Sequence, residues 1–344
     1  MRLPKLKKGD KVAILSPSFA APAVWPHIYK LGLKRLVEEF DLIPVDYPTT
    51  KKLGASGEER AKNLIKAFED QEIKAVIATL GGDDQITYIK NLPNEVFINN
   101  PKPLFGYSDN THFQNFLWLN GIPSFYGGNL FTQFAMQVKM DSFTKKYLEL
   151  ALFSDSTVEL TSSPVFNDEG LNWADLENTN KKRKYEQSNG WIWNGELSTI
   201  GILWGGCLES IDELFRHGTT IPTKEDFQEI VLILETSEEI PSSDYVHRVI
   251  RAFGERGLLE NIKGVLVGRP KAWEFGKEKT SQEKEIYKND QADVMLKTIK
   301  KYNQTCPVIQ NMDFGHTDPQ ICMPLGKEMT INSTNKTLTI DHLH

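Results

Sequence analysis

Ser108 lies in FGYSDNTHF, residues 105–113, between a short apolar run and the opening of a helix. A serine on a strand-to-helix turn can act as a nucleophile, because the tight turn lifts the hydroxyl to the top of a sheet and aims the next backbone N–H into the same space. Gly106 supplies the first glycine of a G-x-S-x-G elbow, while Asn110 stands in place of the second. Serine is also a preferred N-cap, so the position has a purely structural reading. A second turn, LGGDDQ at residues 80–85, again leaves an apolar strand. Adjacent Gly81 and Gly82 let the backbone approach a ligand and offer N–H groups to an anion or oxyanion. Without dinucleotide or Walker spacing, a plain connecting turn is the competing explanation.

A serine nucleophile needs a base, and the base needs an orienting partner. Of seven histidines, His342 and His344 fall in the terminal tail, His27, His217 and His247 on or beside helix patterns, and His112 too near Ser108 to face it. His316, in NMDFGHTDPQICMPLG, occupies a loop framed by Gly315 and Pro319. A lone loop histidine also has a solvated or structural reading. Glu235 ends the apolar run IVLILE, and so marks either a strand's exit into water or a carboxylate aimed into a cleft. The chain has no H-x-x-x-H, no Asp-x-Asp-x-Asp loop and no histidine–cysteine cluster, so neither a metal nor another cofactor is expected.

The elements that must carry these residues alternate. KVAIL, LIPVDY, KAVIATL, PLFGY and IPSFY read as strands, separated by helical patterns over 24–40, 56–70, 84–91 and 111–120, with further helical segments over 132–138 and 142–152. Such alternation predicts an α/β fold, with a Rossmann-like parallel sheet in an N-terminal domain over residues 1–155. Residues 156–190 carry turn and polar residues throughout and read as a linker with a surface excursion. Residues 191–344, with strands at STIGILWG, EIVLILE and IKGVLVG, read as a smaller mixed α/β C-terminal domain. Loops after Leu80 and Tyr107 both leave strands at their carboxyl ends, where open α/β sheets bind ligands.

The totals exclude several classes. The formal net charge of −6 argues against broad electrostatic binding of nucleic acid. The basic run Lys181-Lys182-Arg183-Lys184 reads as a solvated loop. Cys207, Cys306 and Cys322 are widely spaced, which fits a reducing compartment rather than a disulfide framework. No signal-peptide core or membrane-length apolar run is visible, so the expected location is the cytoplasm.

Taken jointly, KKGDKVAILSPS, GG, GYSD, GILWGG, VLILETSEE, GVLVGRP and DFGHTDP follow one another as in the LD-carboxypeptidase family, and the chain resembles its microcin C self-immunity branch along essentially its full length. The resemblance implies a metal-free serine carboxypeptidase, commonly homodimeric. Ser108 matches the nucleophile, Glu235 the carboxylate and His316 the base. Asp109 matches one backbone donor of the oxyanion hole, with Gly82 as the other and Gly81 as a substrate-binding residue beside it. The substrate would be a small peptide conjugate such as a peptidyl-nucleotide or aminoacyl sulfamoyl adenylate, or, alternatively, a murein tetrapeptide. Cys207 stands where that branch implies Asn, at a substrate-binding position whose contact the cysteine would alter. Trp173 is a candidate to stack on a nucleobase and Arg248 to pair with a substrate carboxylate. Readings of other classes are a GGD-type phosphotransferase built on Gly81-Gly82-Asp83 and a binding protein that holds a peptide uncleaved.

Overall fold

In the computed structural model, residues 1–277 and 279–340 are described; His342 and His344 lie outside the described residues. Among the described residues the first sheet has six strands. Five run parallel in the spatial order Ser124–Tyr126, Leu104–Gly106, Ile73–Ala78, Lys11–Leu15, Ile43–Asp46. The chain order reverses between Lys11–Leu15 and Ile73–Ala78, which opens a crevice at their carboxyl ends. KVAIL contains no polar alternation because helices cover both faces, and Val12, Ala13 and Ile14 are fully buried. The sixth strand, Met323–Leu325, comes from far along the chain and pairs antiparallel with Ser124–Tyr126.

Helix termini follow local chemistry. Pro26 opens the helix Pro26–Phe40, and Ser56 and Glu59 close a reciprocal capping box on Gly57–Glu69. The segment expected as one helix over 84–91 is instead two short 3₁₀ turns, Gln85–Thr87 and Ile89–Asn91, followed by a helix at Asn94–Asn99. Tertiary contacts override the local pattern there. Asp84 accepts from Arg60 at 2.6 Å, its N–H donates to Ser18 Oγ at 3.0 Å, and the Tyr88 hydroxyl donates to the Pro17 carbonyl at 2.6 Å.

Among the described residues the second sheet has eight strands. Thr199–Cys207, Ile230–Glu235, Gly264–Gly268 and Val308–Met312 form its parallel centre. Antiparallel neighbours complete it: Glu328–Asn332, Thr337–Ile340 and Val158–Leu160 on one side, Ile192–Asn194 on the other. The two sheets share one apolar core, in which Ile14, Phe105 and Tyr126 meet Leu203, Ile233 and Phe314. Register sets Cys207 beside Glu235 at the carboxyl ends of the central strands.

The excursion is anchored by charge as well as by packing. Val165–Phe166 pairs with Glu186–Gln187, and the fully buried Asp168 carboxylate receives Lys284 at 3.1 Å and Lys288 at 3.5 Å from the helix Ser281–Tyr302. The basic run is only partly solvated: its three lysines are exposed, whereas Arg183 turns inward, donating from Nε to Gln137 at 2.8 Å and pairing with Asp318. Among the described residues no helix is long and apolar enough to cross a membrane.

Candidate active site

Ser108 follows the buried strand Leu104–Gly106 and has φ +66°, a left-handed conformation that costs a non-glycine residue energy. The turn is held in place by packing. An added Cβ at Gly106 would lie 2.9 Å from Asn110 Cγ, so the glycine at this position allows the following turn to fold back onto the strand. The Thr111 hydroxyl donates to the Ser108 carbonyl at 2.7 Å. The Ser108 side chain caps nothing: among the described residues its hydroxyl makes no hydrogen bond, so the N-cap reading does not apply. It faces a cavity of about 850 Å³ whose wall also carries Gly81, Gly82, Trp173, Glu238, Lys271 and His316.

Gly81 packs directly on the serine. A Cβ there would fall 2.8 Å from Ser108 Cβ, 2.9 Å from its Oγ and 3.3 Å from the Asp109 backbone nitrogen. Gly82 has φ +145°, and a Cβ on it would fall 2.2 Å from Ser18 Oγ. Two backbone segments thus approach each other beside the hydroxyl, with no room for side chains. The expected consequence is that Gly81→Ala lowers kcat/KM by about 10²- to 10³-fold, the scale of losing one oxyanion donor, while circular dichroism and melting show a folded protein. Near-normal turnover by this variant would show that the glycine pair does not form the reacting site.

Behind the cavity stands Glu235, fully buried at the tip of Ile230–Glu235. Its Oε2 meets His316 Nδ1 at 2.7 Å and accepts the His316 backbone N–H at 3.2 Å. Its Oε1 accepts from the Tyr126 hydroxyl at 2.5 Å, and that hydroxyl accepts the Ser108 N–H at 3.3 Å. Glycines make space for the carboxylate: a Cβ at Gly315 would sit 2.5 Å from Glu235 Oε2, and one at Gly268 2.7 Å from Glu235 Cβ. The histidine loop is braced by Asp313, fully buried, which accepts from Arg269 at 2.9 Å, the Trp191 indole at 2.9 Å and the Ser163 N–H at 3.0 Å.

His316 Nε2 is also engaged, lying 3.0 Å from the Glu238 carboxylate. Burial alone would lower the imidazole pKa, but the charges of Glu235 and Glu238 and their hydrogen bonds outweigh it and push it up to about 10. Burial would raise the Glu238 carboxyl, yet the imidazolium holds it down to about 2.

The remaining sequence candidates divide. Asp109 is buried beside the turn; its carboxylate accepts the Gln85 N–H at 3.2 Å and contacts His112 Nε2 at 3.2 Å. His112 lies 3.1 Å from Glu213, so it bridges two carboxylates from opposite halves of the chain. Burial opposes its protonation, and hydrogen bonds to both acids raise its pKa. These three side chains converge closely enough to hold a cation, but the imidazole already serves both carboxylates. Trp173 reaches the cavity edge-on to Trp25 at 5.1 Å and Phe131 at 5.5 Å. Cys207 is buried behind the wall, with its Sγ 3.3 Å from Glu209, and does not line the cavity. Arg248 is exposed on the outer face of Ser243–Glu255, whose Val246, Val249, Ile250 and Phe253 face the core; it too is absent from the wall. Glu238, Lys271 and Tyr126 escaped the sequence reading. Glu238 and Lys271 sit just past strand ends, and Tyr126 ends a strand, the one signal that could have found them.

Comparison with known proteins agrees with this architecture. Residues 12–127 match the LD-carboxypeptidase N-terminal domain and residues 200–331 the LD-carboxypeptidase C-terminal domain. The putative carboxypeptidase YocD of Bacillus subtilis is 27% identical over 339 residues, covering 98% of this chain and 97% of that one. The microcin C7 self-immunity protein MccF of Escherichia coli is 22% identical over 350 residues, 97% of this chain and 94% of its own. MccF in complex with aspartyl sulfamoyl adenosine has the same fold at TM-score 0.85 and 20% identity, over 99% of this chain and 98% of that one. An MccF-like protein from Streptococcus pneumoniae in complex with AMP does so at TM-score 0.86 and 24% identity, over 98% of this chain and all of that one. With both of its domains matched in order, this chain belongs to the LD-carboxypeptidase family.

Proposed function

We propose that the protein is a serine carboxypeptidase that hydrolyses a C-terminal amide of a small peptide conjugate, with Ser108, His316 and Glu235 as its triad. One observation carries this reading: an unbonded hydroxyl on a strained strand-to-helix turn shares a cavity wall with an imidazole whose far nitrogen is held by a buried carboxylate at 2.7 Å. In the reaction, Ser108 Oγ attacks the carbonyl carbon as His316 Nε2 takes its proton, and Glu235 stabilises the imidazolium. The N–H groups of Asp109 and Gly82 receive the oxyanion. His316 then protonates the departing amine, and water, deprotonated by the same nitrogen, releases the acyl group.

A cavity of about 850 Å³ with Trp173 on its wall suits a conjugate as large as a peptidyl-nucleotide, the indole offering a face to the base. Support for that substrate class comes from MccF, whose complex holds aspartyl sulfamoyl adenosine. The test is mass spectrometry of products from aminoacyl sulfamoyl adenylates and from muropeptides ending in an L,D bond. Release of the amino acid from the adenylates is the expected result. Cleavage of muropeptides alone would assign the murein reaction, magnesium-dependent ATP turnover would favour the phosphotransferase, and ligands recovered intact would leave a binding protein.

A further inference from the structure

In the structure the nitrogen that must accept the serine proton is already occupied. His316 Nε2 faces Glu238 at 3.0 Å, while the Ser108 hydroxyl has no partner among the described residues. Around the imidazole stand Glu235 on Nδ1, Glu238 on Nε2 and Tyr107 edge-on at 4.9 Å. Asp318, on the same loop, is neutralised by Arg183. Lys271, just past the strand Gly264–Gly268, lies on the same cavity wall.

Glu238 and Lys271 are mismatched in how they are satisfied. The Glu238 side chain is 63% exposed on a short loop at the cavity wall, and among the described residues its carboxylate is ion-paired with His316 alone. Lys271 has no carboxylate within ion-pair distance among the described residues, and its only close ring contact is Trp273 at 5.9 Å. Burial lowers the Lys271 pKa and the charge of Glu238 raises it, with smaller upward contributions from Asp168 and Glu235 and a downward one from Arg183, so Lys271 and Glu238 feel one another's field without touching. A desolvated ammonium with no carboxylate in ion-pair contact, beside an exposed carboxylate on the same wall, offers that carboxylate a second partner.

Resting on the triad proposed above, we infer that Glu238 is a positioning residue with two partners: on His316 it blocks the base, and on Lys271 it leaves Nε2 free to take the proton of Ser108. Clamped between two carboxylates, the imidazole stays protonated at neutral pH and cannot act as a base. Moving Glu238 to Lys271 removes one of the charges that hold the proton and opens a line to the hydroxyl. Substrates that fill the space in front of Ser108 bind the second arrangement better, and so shift the population toward it.

The experiment is an NMR titration of His316, assigned by comparison with His316→Gln, in wild type, Glu238→Gln, Lys271→Met and the double variant. Wild type titrates well above the ordinary histidine range, and Glu238→Gln lowers the midpoint by about one to three pH units. Lys271→Met raises the midpoint when Glu238 is present and leaves it unchanged in the Glu238→Gln background. Because the base must be neutral to act, the rising limb of kcat/KM against pH moves down in Glu238→Gln, increasing turnover at pH 7 by about tenfold or more. An unchanged midpoint in Glu238→Gln, or a Lys271→Met shift of equal size in both backgrounds, overturns the inference. The titration needs no turnover, so an inactive protein with the expected midpoints would sink the hydrolase reading and leave the two-position carboxylate intact.

Discussion

Ser108→Ala lowers kcat by about 10⁴- to 10⁶-fold on any amide the wild type cleaves, the scale seen when a hydrolase loses its nucleophile. The loss is this large because the hydroxyl is the only atom asked to form the covalent bond. In the proposed mechanism the oxyanion donors, the N–H groups of Asp109 and Gly82, are untouched by the substitution and survive in the variant as weak residual catalysis. The fold is not at issue. The side chain makes no hydrogen bond among the described residues, and alanine meets the same +66° backbone demand as serine. The measurement is single-turnover kinetics with melting temperature alongside. Wild-type and variant rates within tenfold of each other would remove the serine from the chemistry, whatever the substrate.

Glu235→Gln is the second large effect, about 10³- to 10⁴-fold in kcat with a smaller change in KM. An amide of the same shape keeps one acceptor for the His316 N–H groups but brings a donor into a pocket that presents the Tyr126 hydroxyl, His316 Nδ1 and the His316 backbone N–H. The imidazole then loses the charge that stabilises its cation, and one of its N–H contacts or that of Tyr126 is left without an acceptor. The side chain is fully buried, with the backbone of Gly315 and Gly268 close against it, so it has little room to rotate away. A variant that keeps wild-type kcat across the pH range would show that the carboxylate is only a structural prop. In Glu235→Ala the same kinetics are confounded by unfolding, since a cavity opens beneath the histidine loop.

Much of this site is legible in the amino-acid order because it is built at strand ends. Ser108, Gly81 and Glu235 each follow an apolar run, and an apolar run buried in a parallel sheet fixes where its last residue emerges. What was not legible depends on contacts between distant segments. Nothing local distinguishes Glu238 from Glu239 in TSEE, or reveals that Arg183, alone in a basic run, turns inward to Asp318. Arg248 follows the acid by only a few turns of chain, yet the amphipathic helix that carries it buries the opposite face. The helix pattern over 84–91 likewise gave way to Arg60, Ser18 and Pro17, partners no window of neighbouring residues contains.

The loop bearing His316 leaves the second sheet at Val308–Met312 and enters the first as Met323–Leu325. The imidazole therefore rides on a stitch between the two sheets, and any hinge opening that parted them would either drag the base off its carboxylate or strip an edge strand from its neighbour. Substrate must then enter and leave past loops at the mouth rather than by the halves swinging apart. Severing the chain before residue 323 would also bare the backbone of Ser124–Tyr126 to other molecules, coupling loss of the reaction to a tendency to associate.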